Sequence, residues 1–344
     1  MDNDDQLPIL VPSCMQSNKA AEVAAERTIF YAEDRTVPFW DHPNFIARAV
    51  IPDSYQPLTR VEQVIEMWNR RVFDDDAIRI LKVLGDAQCA NEAQLKNYLR
   101  LYEVKYSTTY VSNTLRKFAK YGMVERYDCR IGFLENDGDD YPKRPAPFTL
   151  GIAGVKFLQH YYSYMTFVKT DVWRQSNATI QRYVAMNEIR YRIAKAKVLT
   201  AWKWMPFIGG HTKYQPPIAV ATIKEPTSQV EIQLIFDRAQ SSQYYVKHLQ
   251  QRLQLYHHLF QKDGYVHVDA MKNIPSQLFL ISCGTLAMAK QLNIQLELHK
   301  YPFKVWFVLD EWLEGEYGLV GAFARSIQTA EGFDLERFQF KIFE

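Results

Sequence analysis

The stretch DDDAIRILKVLGDAQCANEAQLKNYLRLYEVKYSTTYVSNTLRKFAKYGMVERYDCR, residues 74–130, decides the fold of the first half of the chain. Apolar residues recur at helical spacing in three successive segments of it, and MVERYDCR at its end is typical of a strand. The aspartates at its start can cap a first helix, and Gly85 is expected to end that helix. The stretch therefore predicts three helices followed by a strand.

The second and third helices carry their own start and stop signals. Asn91 with Gln94 three residues later resembles a capping box at the start of the second helix. Ser107 can cap the third helix, predicted over 108–121, and Gly122 can supply its left-handed end. The third-helix side chains predicted to face inward are Val111, Leu115 and Phe118.

A wing is predicted after the third helix. The segment GFLENDGDDYPKRPAP is rich in turn residues, and residues 148–151 are predicted to return as a short strand. Helix, helix, helix, strand, loop, strand is the order of a winged helix-turn-helix. A further helix from Val155 to about residue 166 would pack behind the wing.

The outward side of the third helix predicts an interface with double-stranded DNA. In a winged helix this element enters the major groove, where polar side chains reach bases and cations meet phosphates. A protein-docking role stays open, because winged helices serve both purposes. The predicted DNA contacts are Thr108, Thr109, Ser112, Asn113, Arg116, Lys117 and Lys120, with Lys143 and Arg144 from the wing.

The second half of the chain predicts a nuclease-like order of elements. The predicted segments are a helix at 178–198, strands at 201–207, 218–223 and 230–236, a helix at 242–260, a strand at 277–283, a helix near 285–291 and a strand at 303–309. A helix, three strands, a helix and a strand form the core order of the PD-(D/E)XK nuclease-like fold. The predicted fold class is α/β (α+β overall), an N-terminal winged helix-turn-helix followed by a restriction-endonuclease-like α/β domain.

The residues that hold catalytic Mg²⁺ in such enzymes are largely missing. Those enzymes use an acid on one strand and an acid with a lysine on the next. Gln233 stands where the lysine is required, and Ile218 follows two prolines where an aspartate is expected. We therefore expect no metal and no cofactor. The predicted degenerate nuclease site consists of Glu188, Glu231, Gln233, Asp237 and Arg238.

Length and composition set the domain organisation. The 344 residues suggest two domains after an arm. We expect an N-terminal arm and lead-in over 1–71, a winged-helix domain over 72–170 and a nuclease-like domain over 171–344. The first 40 residues, with one weak helical stretch at 18–31, predict a mobile or loosely docked arm.

Charge, hydropathy and cysteine usage indicate the class of protein. Residues 77–133 hold ten Lys and Arg against five Asp and Glu, and residues 176–262 hold twelve against four. Two basic blocks suit a polyanionic partner. The four cysteines are scattered, no long apolar run is present and the start is acidic. These features predict a cytoplasmic protein with reduced thiols and no membrane contact.

The chain resembles the replication-relaxation family of plasmids and conjugative elements over about residues 72–310. The resemblance is carried by DDDAIRILKVLGDAQCANEAQLKNYL, STTYVSNTLRKFAKYGMVERY, PFTLGIAGVKFLQHYY, NEIRYRIAKAK and VEIQLIFDRAQSSQYYVKHLQQRLQLY. It implies a role in plasmid replication or DNA relaxation and a nuclease-like second domain. Asp237-Arg238 matches the family pattern, whereas Ile235 stands where the family tends to carry an acid.

The predicted function is an accessory DNA-binding protein of a plasmid or other mobile element, acting in replication, DNA relaxation or transfer initiation. Its further partners would be other replication, transfer or transposition proteins. The sequence leaves open whether the protein forms a homodimer. One alternative is a winged-helix transcription regulator whose second domain dimerises or senses a ligand. Another is a metal-dependent DNA endonuclease with unusual ligands.

Overall fold

The computed structural model describes residues 29–101, 106–132, 145–163, 166–210, 215–240, 243–330 and 332–344. Within these residues the chain forms helices and two separate sheets, one of four strands and one of seven. The mixed α/β class predicted from the sequence is therefore confirmed.

The first half combines helices with an antiparallel sheet in the order β1–β3–β4–β2. Its elements are β1 (Phe45–Val50), α1 (Val61–Asn69), α2 (Asp75–Ala87), β2 (Cys89–Asn91), α3 (Glu92–Leu101), α4 (Thr108–Lys120), β3 (Val124–Ile131), β4 (Pro147–Leu150) and α5 (Ile152–Tyr161). The predicted succession of three helices, a strand and a returning strand is observed as α2, α3, α4, β3 and β4. The strands β1 and β2 and the helix α1 were not predicted.

The predicted capping signals of the helices are confirmed. Asn91 and Gln94 exchange side-chain to backbone hydrogen bonds of 3.1 and 2.9 Å at the start of α3. Ser107 accepts a hydrogen bond of 3.0 Å from the backbone of Tyr110 at the start of α4. Gly122 adopts a positive φ of 66° directly after α4, which turns the chain into β3.

The prediction that Gly85 ends the first helix is wrong, because α2 continues to Ala87. Gly85 instead allows α5 to pack closely, since a Cβ atom at this position would lie 2.6 Å from Leu158 Cδ1. The helix ends at Gln88, which adopts a φ of 65° and donates a side-chain hydrogen bond of 3.1 Å to the Gly85 carbonyl. The glycine therefore serves packing rather than helix termination.

The second half contains the larger sheet, in the order β11–β10–β9–β8–β7–β6–β5. Its elements are α6 (Thr170–Gln175), α7 (Asn177–Lys195), β5 (Leu199–Trp204), β6 (Ala219–Lys224), β7 (Glu231–Arg238), α8 (Gln243–Asp263), β8 (Gln277–Cys283), α9 (Leu286–Leu296), β9 (Val305–Leu309), α10 (Asp310–Leu313), β10 (Phe323–Thr329) and β11 (Gly332–Phe338). The strands β7, β8 and β9 are parallel, and the other pairs are antiparallel. The predicted order from α7 to β9 is observed, and the hairpin β10–β11 extends the sheet beyond it.

Part of the region predicted as a loosely docked arm is firmly packed, and that prediction is wrong for it. Phe39 is 6% exposed and belongs to the apolar core of the second half. The backbone amide of Glu33 donates a hydrogen bond of 3.2 Å to the Glu311 carboxylate. We call residues 29–50 the N-terminal strap, because this segment packs on the second half and then pairs with β3 through β1. Residues 1–28, with most of the helix predicted at 18–31, lie outside the described part.

A buried asparagine joins the two halves. Asn187 of α7 is fully buried, and its Nδ2 donates hydrogen bonds to the carbonyls of Ala87 at 2.9 Å and Cys89 at 2.8 Å. Its Oδ1 accepts a hydrogen bond of 2.8 Å from the Tyr98 hydroxyl of α3. Because these partners belong to α2, β2 and α3, one side chain fixes three elements of the first half to α7.

A second polar contact reinforces this junction. Arg190 of α7 forms an ion pair with Asp86 at the end of α2, and Trp204 of β5 donates a hydrogen bond of 2.8 Å to the Asp86 carbonyl. The amide group of Gln94 donates a hydrogen bond of 2.8 Å to the Val184 carbonyl. The orientation of the first half on α7 is therefore determined by directional hydrogen bonds.

Two apolar clusters form the core. The smaller lies within the first half, around Phe73, Leu84 and Phe118. The larger fills the second half but also takes in Cys89 and Tyr127 of the first half, so the domain boundaries at 71 and 170 stay a prediction. None of the described helices is long and apolar enough to cross a membrane.

Candidate nucleic-acid interface and a buried charge cluster

The helix α4 is held in place by its apolar side and by polar contacts with neighbouring elements. Val111, Leu115 and Phe118 are at most 2% exposed, as the sequence predicts. Tyr110 donates its hydroxyl hydrogen to Asp74, which also caps α2. The orientation of α4 relative to α2 is therefore fixed before any partner binds.

The exposed side of α4 is a narrow polar and basic stripe. Thr109, Asn113 and Arg116 are exposed and follow one another at the spacing of a single helix face. Lys120 continues the stripe, with its ammonium 5.3 Å from the centre of the Tyr121 ring. Arg116 donates a hydrogen bond of 2.9 Å to the Asn113 side-chain oxygen, which aligns the two groups. We call Thr109, Asn113, Arg116 and Lys120 the α4 stripe.

Two of the predicted DNA contacts are held by partners within the protein. Ser112 is half-buried and donates its hydroxyl hydrogen to Glu92, which also forms an ion pair of 2.5 Å with Lys96. Burial raises the pKa of Glu92, but hydrogen bonds from Lys96 and Ser112 outweigh this effect and keep the pKa below its ordinary value. Lys117 donates a hydrogen bond of 2.7 Å to the Val72 carbonyl. Ser112 and Lys117 therefore flank the stripe instead of forming its centre.

Of the three other predicted contacts, one lies on the surface and two lie outside the described residues. Thr108 is exposed at the start of α4. Lys143 and Arg144 of the wing loop lie outside the described residues, and their role stays a prediction.

The residues predicted to form a degenerate nuclease site do not converge. Glu231 and Gln233 lie at the start of β7, and Asp237 lies at its end. Six residues of extended strand separate Glu231 from Asp237 by about 20 Å. Each of the three side chains is already engaged by another element. The partners of Glu231, Gln233 and Asp237 are Lys272, Gln277 and Arg252, respectively.

A buried charge cluster lies at the carboxyl edge of the parallel strands. Arg238, at the end of β7, is 2% exposed and forms ion pairs with Asp41 of the strap and with Asp310 directly after β9, the latter at 2.7 Å. Its other terminal nitrogen donates a hydrogen bond of 2.7 Å to Ser282 at the end of β8. Arg238 therefore ties three parallel strands and the strap together.

The cluster perturbs the titration of its own groups. Burial raises the pKa of Asp310 to about 6; Arg238 opposes this shift and Asp41 adds to it. Burial lowers the pKa of Arg238, but the two carboxylates outweigh burial and raise it. A guanidinium shared by two half-buried carboxylates leaves one excess negative charge, which protonation of Asp310 relieves.

Glu188 is a predicted site residue whose carboxylate acts on Asp310 of this cluster. It forms an ion pair of 2.8 Å with Arg192, one turn along α7. Glu188 and Asp310 both line a cleft of about 860 Å³ between the strap, α3, α7 and α10. The structure thus brings Glu188 and Arg238 close to one another through Asp310, and it keeps Glu231 and Gln233 away from them.

Sequence reasoning missed Asp41 and Asp310. Asp310 follows the apolar strand segment VWFVL directly, and polar residues after parallel strands commonly meet at one sheet edge. That rule would have found Asp310. Asp41 carries no comparable signal, because its contact depends on how the strap folds back.

No metal-binding constellation is present in the described part of the chain. Groups of three or more His, Cys, Asp or Glu side chains arranged to hold an ion are absent from it. The carboxylates near Arg238 form ion pairs with arginines: Asp41 and Asp310 with Arg238, and Glu188 with Arg192.

No known protein family and no curated protein matches the sequence. Two solved structures of the restriction endonuclease FokI, one of them bound to DNA, are similar with 14% and 12% identity over 66% and 68% of this chain. Both have a TM-score of 0.24, and the matches span 40% and 42% of the FokI chains.

Proposed function

We propose that this protein binds double-stranded DNA through the α4 stripe and acts as an accessory DNA-binding protein of a plasmid or other mobile element, in replication, DNA relaxation or transfer initiation. The stripe itself is the observation that carries the proposal. An exposed helix face with hydroxyl and amide groups at one end and cations at the other suits a winged helix-turn-helix in the major groove.

The dimensions of α4 support this mode of binding. Its 13 residues make a helix about 20 Å long, and the major groove is about 12 Å wide and admits a helix. Thr109 and Asn113 carry hydrogen-bonding groups for base edges. Arg116 and Lys120 carry charges for phosphates.

The position of α4 in the fold also supports an external partner. The first half contacts α7 through α3, β1 and β2, whereas α4 packs on α2, α3 and β3. The stripe therefore faces away from the junction between the halves. A rigid junction would let DNA bound on α4 be held in one orientation relative to the second half.

The mobile-element role rests on the resemblance to the replication-relaxation family. A transcription regulator would use the same stripe, so the two roles differ in the DNA site and not in the binding surface. Footprinting on the origin of the parent element and on its promoters separates them. Protection confined to promoters would contradict the replication role.

The endonuclease alternative has less support. Phosphodiester hydrolysis by a metal needs clustered oxygen ligands. Glu231 and Asp237 are far apart along β7, and each is paired with a cation. We expect no nicking of supercoiled DNA with Mg²⁺ or Mn²⁺. Nicking by the wild type that disappears in Asp237→Ala would overturn this expectation.

Binding of labelled duplexes across a salt series tests the central proposal. Arg116→Ala should weaken binding and flatten the log–log salt dependence by about 0.9 for one lost phosphate contact. Lys117→Ala should change the slope less, because Lys117 is held by the Val72 carbonyl. Arg325→Ala, on β10 of the other sheet, is the matched control and should change neither. Unaltered affinity and slope in folded Arg116→Ala would remove α4 from the interface.

A further inference from the structure

The strap adds an outer strand to the sheet of the first half. Its strand β1 (Phe45–Val50) pairs antiparallel with β3, and Arg48 stands opposite Asp128 in this ladder. On the other side of β1, the backbone amide of Ala47 donates a hydrogen bond of 3.0 Å to the side chain of Asn177 in α7. The position of β1 is therefore fixed by both of its neighbours.

The two faces of the β1–β3 pair differ in burial and charge. Phe45 of β1 and Tyr127 and Ile131 of β3 are buried in the larger core. Since side chains alternate along a strand, the remaining positions form the opposite face. The exposed residues of that face are Arg48, Val50, Arg126, Asp128 and Arg130. We call its three arginines, Arg48, Arg126 and Arg130, the basic face.

The basic face has an excess of positive charge. Among the described residues no carboxylate forms an ion pair with Arg48, Arg126 or Arg130. Asp128 is the acidic residue among them, so three positive charges stand against one negative charge. Cations held on a rigid strand without acidic partners attract a polyanion.

The basic face lies on the same side of the sheet as α4. Val124 shares this face with Arg126 by alternation, and it belongs to the smaller core together with Val111 of α4. Arg126 follows Lys120, the last residue of α4, by six positions, so their Cα atoms are at most about 20 Å apart. One turn of B-DNA is roughly 34 Å long. A single duplex is thus long enough to contact the α4 stripe and the basic face together.

Glu92 connects the flank of α4 with the sheet. Its carboxylate binds Ser112 of α4 and Lys96, and its backbone amide donates a hydrogen bond of 3.3 Å to the Ala146 carbonyl, directly before β4. The strand β4 pairs with β3 up to Arg126. The basic face therefore begins next to the strand that supports α4, and the nearby glutamate is already paired with a lysine.

We propose that the basic face binds the phosphate backbone of the same duplex that takes α4 in its major groove, so that the N-terminal strap supplies a DNA contact through Arg48. The inference rests on the proposed DNA binding by the α4 stripe and extends that interface to a strand of the strap. Arg126 and Arg130 are about 13 Å apart along β3, which matches about four phosphates of one DNA strand at 3.4 Å each.

The contact would connect DNA with both halves of the protein. The strap carries Arg48, and it is also held on the second half, because Asp41 forms an ion pair with Arg238. An acidic protein surface would suit three arginines as well. The position of the basic face beside the α4 stripe favours DNA, since one duplex satisfies both surfaces.

Binding of labelled duplexes by the full chain across a salt series tests the contact. Arg48→Ala should lower the magnitude of the log–log salt slope by about 0.9, and Arg48→Ala with Arg130→Ala by about 1.8. Both proteins should lose affinity equally for specific and random duplexes, because phosphates carry no sequence information. Arg48→Lys keeps the charge and should retain most of the wild-type slope.

A variant with the opposite expected sign separates a phosphate contact from damage to the strand. Asp128→Asn removes the carboxylate that stands among the arginines, so it should tighten duplex binding by about 2- to 5-fold, the size of other exposed charge effects. A merely disturbed strand would weaken binding. Arg325→Ala removes the same charge from β10 of the other sheet and should leave the slope as in the wild type. Equal Tm values verify that the variants are folded.

The outcomes separate this inference from the proposed function. A wild-type slope in folded Arg48→Ala and in the double variant, with a lowered slope in Arg116→Ala, would overturn the contact, leave the α4 stripe as the interface and leave the basic face to an acidic protein. Weaker binding by Asp128→Asn would overturn it too. Absence of duplex binding by the wild type would overturn both proposals.

Discussion

Replacement of Asn187 by alanine should loosen the junction between the two halves. The side-chain amide of Asn187 donates hydrogen bonds to the carbonyls of Ala87 and Cys89, and its oxygen accepts one from Tyr98. The Asn187→Ala substitution removes this donor from both carbonyls, at a position that is fully buried. The Tyr98 hydroxyl keeps a second acceptor, the Asn187 backbone carbonyl at 2.9 Å.

The size of the effect follows from these contacts. Each buried polar group left without a partner costs about 1 to 3 kcal/mol, so two carbonyls cost about 2 to 6 kcal/mol. Alanine gains roughly 0.5 kcal/mol of helix propensity over asparagine. The expected loss in the free energy of unfolding is therefore about 2 to 5 kcal/mol, a large part of the stability of a typical domain.

Denaturant unfolding followed by tryptophan fluorescence measures this loss, since Trp204 lies beside the junction. Asn187→Asp keeps the acceptor oxygen but not the donor, and should cost at least as much as alanine. The control Asn97→Ala, on the half-buried side of α3, should stay within about 0.5 kcal/mol of the wild type. A value for Asn187→Ala within that range would refute the role of the amide.

Further outcomes are expected at three other positions. Asn113→Ala should reduce discrimination between specific and random DNA by about 1 to 3 kcal/mol in competition binding, and equal weakening on both DNAs would contradict direct readout. Gly154→Ala should lower stability by about 1 to 3 kcal/mol, because its Cβ would lie 2.1 Å from the Met123 carbonyl oxygen; an unaltered Tm would disprove the close contact. Burial raises the pKa of Asp310 from 3.8 to about 6, so this group stabilises the fold below about pH 4 and loses that contribution as the pH rises through 6. The stability of the wild type relative to Asp310→Asn should therefore fall by up to about 3 kcal/mol from pH 4 to pH 7, and a flat difference would contradict the shift.

Local signals in the sequence account for most of the predicted elements. Side-chain caps such as Ser107 and the positive φ of Gly122 act over a few residues, so their effect is visible in the sequence alone. The inward face of α4 also follows from helical periodicity. The predicted helix end at Gly85 was wrong, because the small size of this residue is needed for packing against α5 and not for ending a helix.

Long-range contacts account for what the sequence did not predict. The strand β1 exists because it pairs with β3, some 80 positions later, and nothing local to it requires that pairing. The partners of Glu231 and Asp237 come from other elements, so alternation along β7 could not reveal that these carboxylates are already paired. Ser112 likewise faces outward by periodicity, yet a glutamate on the neighbouring helix α3 binds its hydroxyl.

The N-terminal strap has a consequence for how the chain is made. The hydrogen bond from Glu33 to Glu311 joins positions 278 residues apart. A ribosome adds about 5 to 20 residues per second, so the partner of Glu33 is synthesised roughly 15 to 55 seconds later. The β1 edge lacks its partner until β3 has been made, some 80 residues later, and Phe39 lacks the core that covers it until the second half has been made. We expect the strap to complete its contacts only after the second half has folded, and to be accessible to chaperones until then.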